Sequence, residues 1–217
     1  MELPSLVLAA AASPTAYFCF RPFLRKQNAI DFVRAHRWVH PNWICVWRTL
    51  ISWSGLWSYF AIHNFAGIFI YTTGAMGDAL DGFLARTCGL ETKTGEWLDP
   101  LADKLTYLPA LATFAGRGFL DAYLIIILII IEAFGQFAVR KLLMKLGLPI
   151  KAIKWGKIKA VILFGLVIFC ALADMTGNLG QRCFQLAGNS ILALAIILAI
   201  GSIIFKVIPM PIKRAAP

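Results

Sequence analysis

Long apolar runs occupy residues 43–62, 65–85, 100–116, 119–139, 158–174 and 187–208. Each predicts a helix able to cross a membrane, since roughly 17–25 helical residues span a hydrocarbon core about 30 Å thick. Between Phe20 and Pro41 the pattern changes. Ile30, Phe32, Val33 and Trp38 interleave with Arg25, Lys26, Arg34 and Arg37, predicting a basic amphipathic helix on the membrane surface. Upstream, Leu3 to Phe20 is apolar. Glu2 is acidic and no Lys or Arg precedes Arg21, which argues against a secretory leader, while Pro4 and Pro14 weaken the segment as a straight span. The expected architecture is all-α, a polytopic membrane helical bundle of about six transmembrane helices with an N-terminal interfacial helix. Residues 1–40 form the apolar segment and interfacial helix, 41–210 the transmembrane domain and 211–217 a basic tail.

Composition supports a membrane class. The 217 residues are 59% hydrophobic and only 15% charged, with a mean hydropathy of +0.74, more apolar surface than one soluble core can hide. The tryptophans are expected mostly near the ends of the apolar runs, where an amphipathic ring prefers the interface. The net charge of +10 is a matter of topology and not of nucleic-acid binding. In a six-helix arrangement, all of the 21 Lys and Arg except Arg117 and Arg182 fall on one side, which puts that side in the cytoplasm. Cys19, Cys45, Cys88, Cys170 and Cys183 are scattered without metal-site spacing, so they read as reduced, mostly buried thiols.

The candidate chemistry lies between the second and third runs. Asp78, Asp81, Gly82, Ala85, Arg86, Gly95, Asp99 and Asp103 form the pattern D-x2-D-G-x2-A-R-x8-G-x3-D-x3-D. At average residue usage these eight fixed positions recur by chance in a chain of this length with a probability of about 10⁻⁸. Asp78 and Asp81 are expected near the cytoplasmic end of the second helix. Asp99 and Asp103 are expected at the start of the third, with Pro100 in its first turn, so that each pair shares a helical face. Four carboxylates at membrane depth repel one another unless divalent cations neutralise them. An all-oxygen set suits Mg²⁺ or Mn²⁺, and shared carboxylates allow two ions. Two metals serve displacement at a diphosphate, with a spare carboxylate taking the proton of an attacking hydroxyl. Gly82 and Ala85 leave room for a nucleotide against the helix, Gly95 frees the loop to turn, and Arg86 is placed to hold phosphate or pair with an aspartate.

This pattern resembles the signature of the CDP-alcohol phosphotransferase (CDP-alcohol phosphatidyltransferase) family at every fixed position. The resemblance covers residues 39–208 and implies transfer of a phosphoryl-alcohol group from a CDP-linked donor to a second alcohol, with release of CMP. By that resemblance Asp78, Asp81 and Asp99 are metal ligands, and Asp103 is the proton acceptor, also able to touch metal. Asn42, Asp78, Gly82, Ala85, Arg86, Thr92 and Gly95 are the donor (CDP) contacts. Pro41, Asn42 and Arg48 resemble the family's P-N-x-x-T-x-x-R opening, with Cys45 at the Thr position. The resemblance also implies a homodimer.

Glu96 to Lys104, with the segment Gly156 to Lys159, is most similar to bacterial phosphatidylglycerophosphate synthases. That similarity implies CDP-diacylglycerol as donor and sn-glycerol 3-phosphate as acceptor in the cytoplasmic membrane. Those enzymes commonly carry Arg-Glu about eight residues before the arginine that Arg140 matches, where this chain has Glu132-Ala133. Arg140, Lys157 and Lys159 are the candidates for the acceptor's phosphate, against a reading as ordinary membrane anchors. Other acceptors stay open: phosphatidylglycerol, an inositol phosphate or an amino alcohol. A cation transporter is the distant alternative, disfavoured because the run from Tyr123 to Ile131 is almost all Ile and Leu.

Overall fold

The computed structural model describes residues 40–62, 66–146, 154–175 and 181–207, together with Asp31. The expected N-terminal apolar segment, interfacial helix and C-terminal tail lie outside the described residues. Among the described residues all regular structure is helical: α1 (Pro41–Ile62), α2 (Ala66–Cys88), α3 (Lys93–Gly116), α4 (Ala122–Ala133), a π-helical turn (Phe134–Val139), α5 (Arg140–Lys145), α6 (Lys154–Met175) and α7 (Gln181–Val207). Each of the apolar runs has become a helical segment, the fourth being α4, the π turn and α5 in succession. By length and composition, Ala122–Lys145, Trp155–Met175 and Arg182–Val207 are candidate membrane spans. Helices α1 to α3 are less apolar because tryptophan, serine, glycine and the aspartates stand where the others carry Ile and Leu. The chain divides into two compact units, Met1–Thr106 and Tyr107–Pro217.

In the first unit α1 and α2 pack along their length, and glycines set how closely. A Cβ on Gly55 would overlap the backbone of Gly67 and Tyr71, and one on Gly67 would overlap the backbone of Gly55 and Tyr59. Further along α2, a Cβ on Gly74 would lie 2.7 Å from the Arg48 carbonyl, and one on Gly77 would lie 2.9 Å from Arg48 Cβ. Small residues are what let two apolar helices bring their backbones together. The contact is polar as well, since Ser52 Oγ donates to the carbonyl of Arg48 at 2.9 Å and to that of Tyr71 at 3.3 Å. Trp43, Trp47, Trp53 and Trp57 are all exposed on α1. They run along the helix instead of gathering at its ends as the sequence suggested, and Trp53 Nε1 donates to the Leu105 carbonyl at 2.7 Å.

Helix α2 ends on Gly89, whose φ of 65° suits glycine, while Leu90 N donates to the Ala85 carbonyl at 2.9 Å. Helix α3 then begins at Lys93, well before the apolar run. Thr92 caps it: its Oγ1 accepts from Gly95 N at 3.0 Å. This corrects two expectations. Asp99 stands in the body of α3 and not at its start, and Pro100 is interior, where it offers no N–H to the carbonyl one turn back. Gly95 is a first-turn helical residue, not a loop hinge.

In the second unit Gly118, at φ +83°, turns the chain into α4, whose first turn is capped by Asp121 accepting from Tyr123 N at 2.7 Å. Helix α7 packs on α4 and α6. Leu128, Leu163, Leu166, Val167, Leu192 and Ala195 fill the centre. Ile126, Ile127, Ile130 and Ile197 are exposed, as expected of faces turned to lipid.

Candidate active site

Arg48 anchors the first unit's polar centre. Its side chain is 3% exposed, and Nη2 donates to Asp78 Oδ1 at 3.2 Å and to Asp103 Oδ1 at 3.0 Å. The same nitrogen lies 3.5 Å from the Asp99 carbonyl. One guanidinium from α1 thus gathers aspartates from α2 and α3. The glycines make this possible, because any side chain at Gly77 would push into Arg48 Cβ and drive the helices apart. Asp78 stands in the middle of α2, not near its end, with its side chain 51% exposed, whereas that of Asp103 is 21% exposed. Asp103 also feels the charges of Asp78 and Asp99. Sequence reasoning missed this role for Arg48. The available signal was a cation on α1 in register with Gly74 and Gly77 on α2.

A second group forms beside it. Asn42 Nδ2 donates to Thr92 Oγ1 at 3.3 Å, and a Cβ on Gly95 would lie 2.9 Å from Asn42 Oδ1. Gly95 is therefore glycine because the Asn42 amide lies against its backbone, and Asn42, distant in sequence, meets Thr92 and Gly95 at the α3 N-terminus. Arg86 is exposed, and its guanidinium covers Gly82, where a Cβ would be 3.5 Å from Nη1. Ala85 is half-buried on the same helix. The side chain of Asp81 lies outside the described residues.

Among the described residues no three His, Cys, Asp or Glu side chains converge as a ready-made metal cage. The donor chemistry nevertheless fits a hard divalent cation: carboxylate oxygens from two helices already share one cationic atom, Arg48 Nη2. The residues that would hold the ion are Asp78, Asp99 and Asp103, with Asp81 by its place in the pattern.

Of the acceptor candidates in the second unit, the structure links two. Arg140 and Lys159 are 3% and 9% exposed, while Lys157 is exposed. Lys159 Nζ donates to Glu132 Oε1, and the Glu132 side chain is 3% exposed. Lys206, counted in the sequence only as a positive-side charge, feels the charges of Arg140, Lys159 and Glu132.

The family model described as CDP-alcohol phosphatidyltransferase matches residues 38–206, most of the chain and all of the groups above. The chain belongs to the CDP-alcohol phosphatidyltransferase family. Members of this family generally depend on a divalent metal. Three curated relatives carry the name CDP-diacylglycerol–glycerol-3-phosphate 3-phosphatidyltransferase. The one from Bacillus subtilis is 34% identical over 45% of this chain and 50% of its own length. That from Treponema pallidum is 24% identical over 64% of this chain and 67% of its own, and that from Cereibacter sphaeroides 30% identical over 41% and 42%. The matches thus span from under half to about two thirds of the relatives' length. No solved structure matches the chain.

Proposed function

We propose that this protein is a membrane-embedded transferase that moves the phosphatidyl group of CDP-diacylglycerol to the hydroxyl of sn-glycerol 3-phosphate, releasing CMP and forming phosphatidylglycerophosphate. The observation that carries this reading is the convergence of Asp78 and Asp103, from opposite ends of the eight-position motif, on Arg48. Family membership supplies the donor chemistry, and the relatives' names supply the acceptor.

In this mechanism Asp103 accepts the proton of the acceptor hydroxyl. The freed oxygen bonds to the phosphorus that carries the diacylglycerol, and the bond from that phosphorus to the diphosphate's bridging oxygen breaks. CMP leaves with that oxygen, and no covalent enzyme intermediate forms. Asp78, Asp81, Asp99 and Asp103 would hold divalent metal, Mg²⁺ or Mn²⁺ as a pair, which would neutralise charge on the diphosphate. Arg48 is a positioning residue: it fixes the Asp103 carboxylate toward the acceptor and ties it to Asp78. Asn42, Thr92 and Gly95 at the α3 N-terminus, with Gly82, Ala85 and Arg86 on α2, bind the CDP. Arg140 and Lys159 belong to the acceptor's phosphate site. Lys157, exposed, is left as a membrane anchor.

The reading also includes a multi-pass homodimer in the cytoplasmic membrane with the aspartates facing the cytoplasm. The test is to give purified protein CDP-diacylglycerol with glycerol 3-phosphate, glycerol, inositol phosphate, phosphatidylglycerol or serine, and to follow CMP. Release is expected with glycerol 3-phosphate and not with serine. Equal release with every acceptor, or none with any, contradicts the reading.

A further inference from the structure

Between α1 and α3 runs an apolar groove of about 200 Å³. Its deepest residues are small: Cys45, Thr49 and Ala102 are buried. Val46 and Leu50 of α1 and Leu98 and Leu105 of α3 complete the walls, and Trp53 is the last α1 residue to line it. The Thr49 hydroxyl is engaged within its own helix, since Oγ1 donates to the Cys45 carbonyl at 3.0 Å. The groove is left with apolar contact to offer.

It continues the site already described. Contacts between the two helices advance in step, because Asn42 meets Thr92, Arg48 meets Asp103 and Trp53 meets Leu105. Cys45 belongs to both places: it lines the groove, and its Sγ lies 3.8 Å from Arg48 Nη2. A diphosphate beside the aspartates, with its cytidine at the α3 N-terminus, therefore has the groove next to it, leading away from the nucleotide. From Leu98 to Leu105 the helical rise gives it a length of about 10 Å.

Trp53 is fixed at the far end by a carbonyl that the helix itself does not use in the ordinary way. The Leu105 carbonyl would accept the N–H four residues on, but that residue is Pro109, which has none. Trp53 Nε1 donates to it instead, at 2.7 Å, tying the two walls together there. A ring held in this way does not swing aside.

We propose that this groove takes one acyl chain of the lipid donor and that Trp53 is its stop, the residue that sets how long a chain the groove accepts. This rests on the reading of the protein as a transferase from a lipid-linked CDP. An acyl chain is the occupant because the lining is apolar, the groove begins at the diphosphate's site, and Val46, Leu50 and Leu105 are exposed to the lipid from which the donor comes.

The test measures KM for CDP-diacylglycerols of increasing chain length, dioctanoyl, dilauroyl and dipalmitoyl, in mixed micelles with saturating glycerol 3-phosphate. Alongside it, the rise in unfolding temperature given by CDP and by each lipid is read without turnover. In wild type the gain from each added methylene should end where Trp53 stops the chain, so that the dipalmitoyl donor binds no tighter than the dilauroyl one. Trp53→Ala should extend the gain, making KM for the dipalmitoyl donor about tenfold lower than for the dilauroyl donor. Ala102→Phe should fill the groove and remove the stabilisation that lipid adds over CDP, while CDP itself still stabilises. Trp57→Ala, exposed on the same helix and outside the groove, should keep the wild-type profile. If Ala102→Phe does not fold, the Trp53 series decides alone. A chain-length profile that Trp53→Ala leaves as in wild type overturns the proposal and is the result expected of a groove filled by another helix. A shifted stabilisation series without CMP release from any acceptor contradicts the enzyme reading and sustains the groove; turnover with a profile indifferent to Trp53 does the reverse.

Discussion

Arg48 decides how the aspartates are used. Its terminal Nη2 alone reaches carboxylates on two helices from a site 3% exposed, and a lysine side chain, one bond shorter, does not carry its ammonium to the same point. Arg48→Lys is therefore expected to lower kcat about tenfold while leaving the KM for CDP-diacylglycerol near its wild-type value, read by CMP release under donor titration. The identities of the acids were legible because their spacing carries the family pattern. The partner was not, because the P-N-x-x-T-x-x-R opening marks Arg48 without saying what it faces until the glycines opposite it are known. The partner of Lys159 was hidden for a similar reason. Its ion pair with Glu132 crosses two helices, and no local spacing announces it.

Among the elements, the apolar runs marked where helices lie but not where they begin. Helix α3 starts at Lys93 because Thr92 caps it, and its first turn is too polar for a hydropathy reading to include. The π turn had no signature in the sequence. The tight α1 and α2 contact yields a paired expectation. Gly74→Leu places carbon against Ser52 Oγ and the Arg48 carbonyl, so it should destabilise by about 1–3 kcal/mol and reduce turnover by displacing Arg48. Gly165→Ala in α6, where nothing lies within 4 Å of an added Cβ, should leave the unfolding temperature unchanged or higher and turnover intact. Thermal unfolding in detergent, alongside CMP release, measures both.

At the scale of the whole molecule, class and family were readable from hydropathy and one motif, whereas the proposed orientation rests on the lysine and arginine count. That orientation puts Cys183, exposed at the start of α7 beside Arg182, on the side opposite the aspartates. In a Cys19→Ser background, an impermeant thiol reagent added to sealed right-side-out vesicles should label Cys183, since Cys45, Cys88 and Cys170 are buried. Labelling only after the vesicles are opened would invert the topology. The chemistry itself is tested most directly by CMP release from CDP-diacylglycerol and glycerol 3-phosphate, comparing wild type with and without EDTA and Asp103→Asn with metal. Metal-dependent release by wild type is expected, lost with EDTA and reduced about 10²- to 10⁴-fold in Asp103→Asn, which still binds CDP. Full turnover by Asp103→Asn, or CMP release that EDTA leaves untouched, would contradict it.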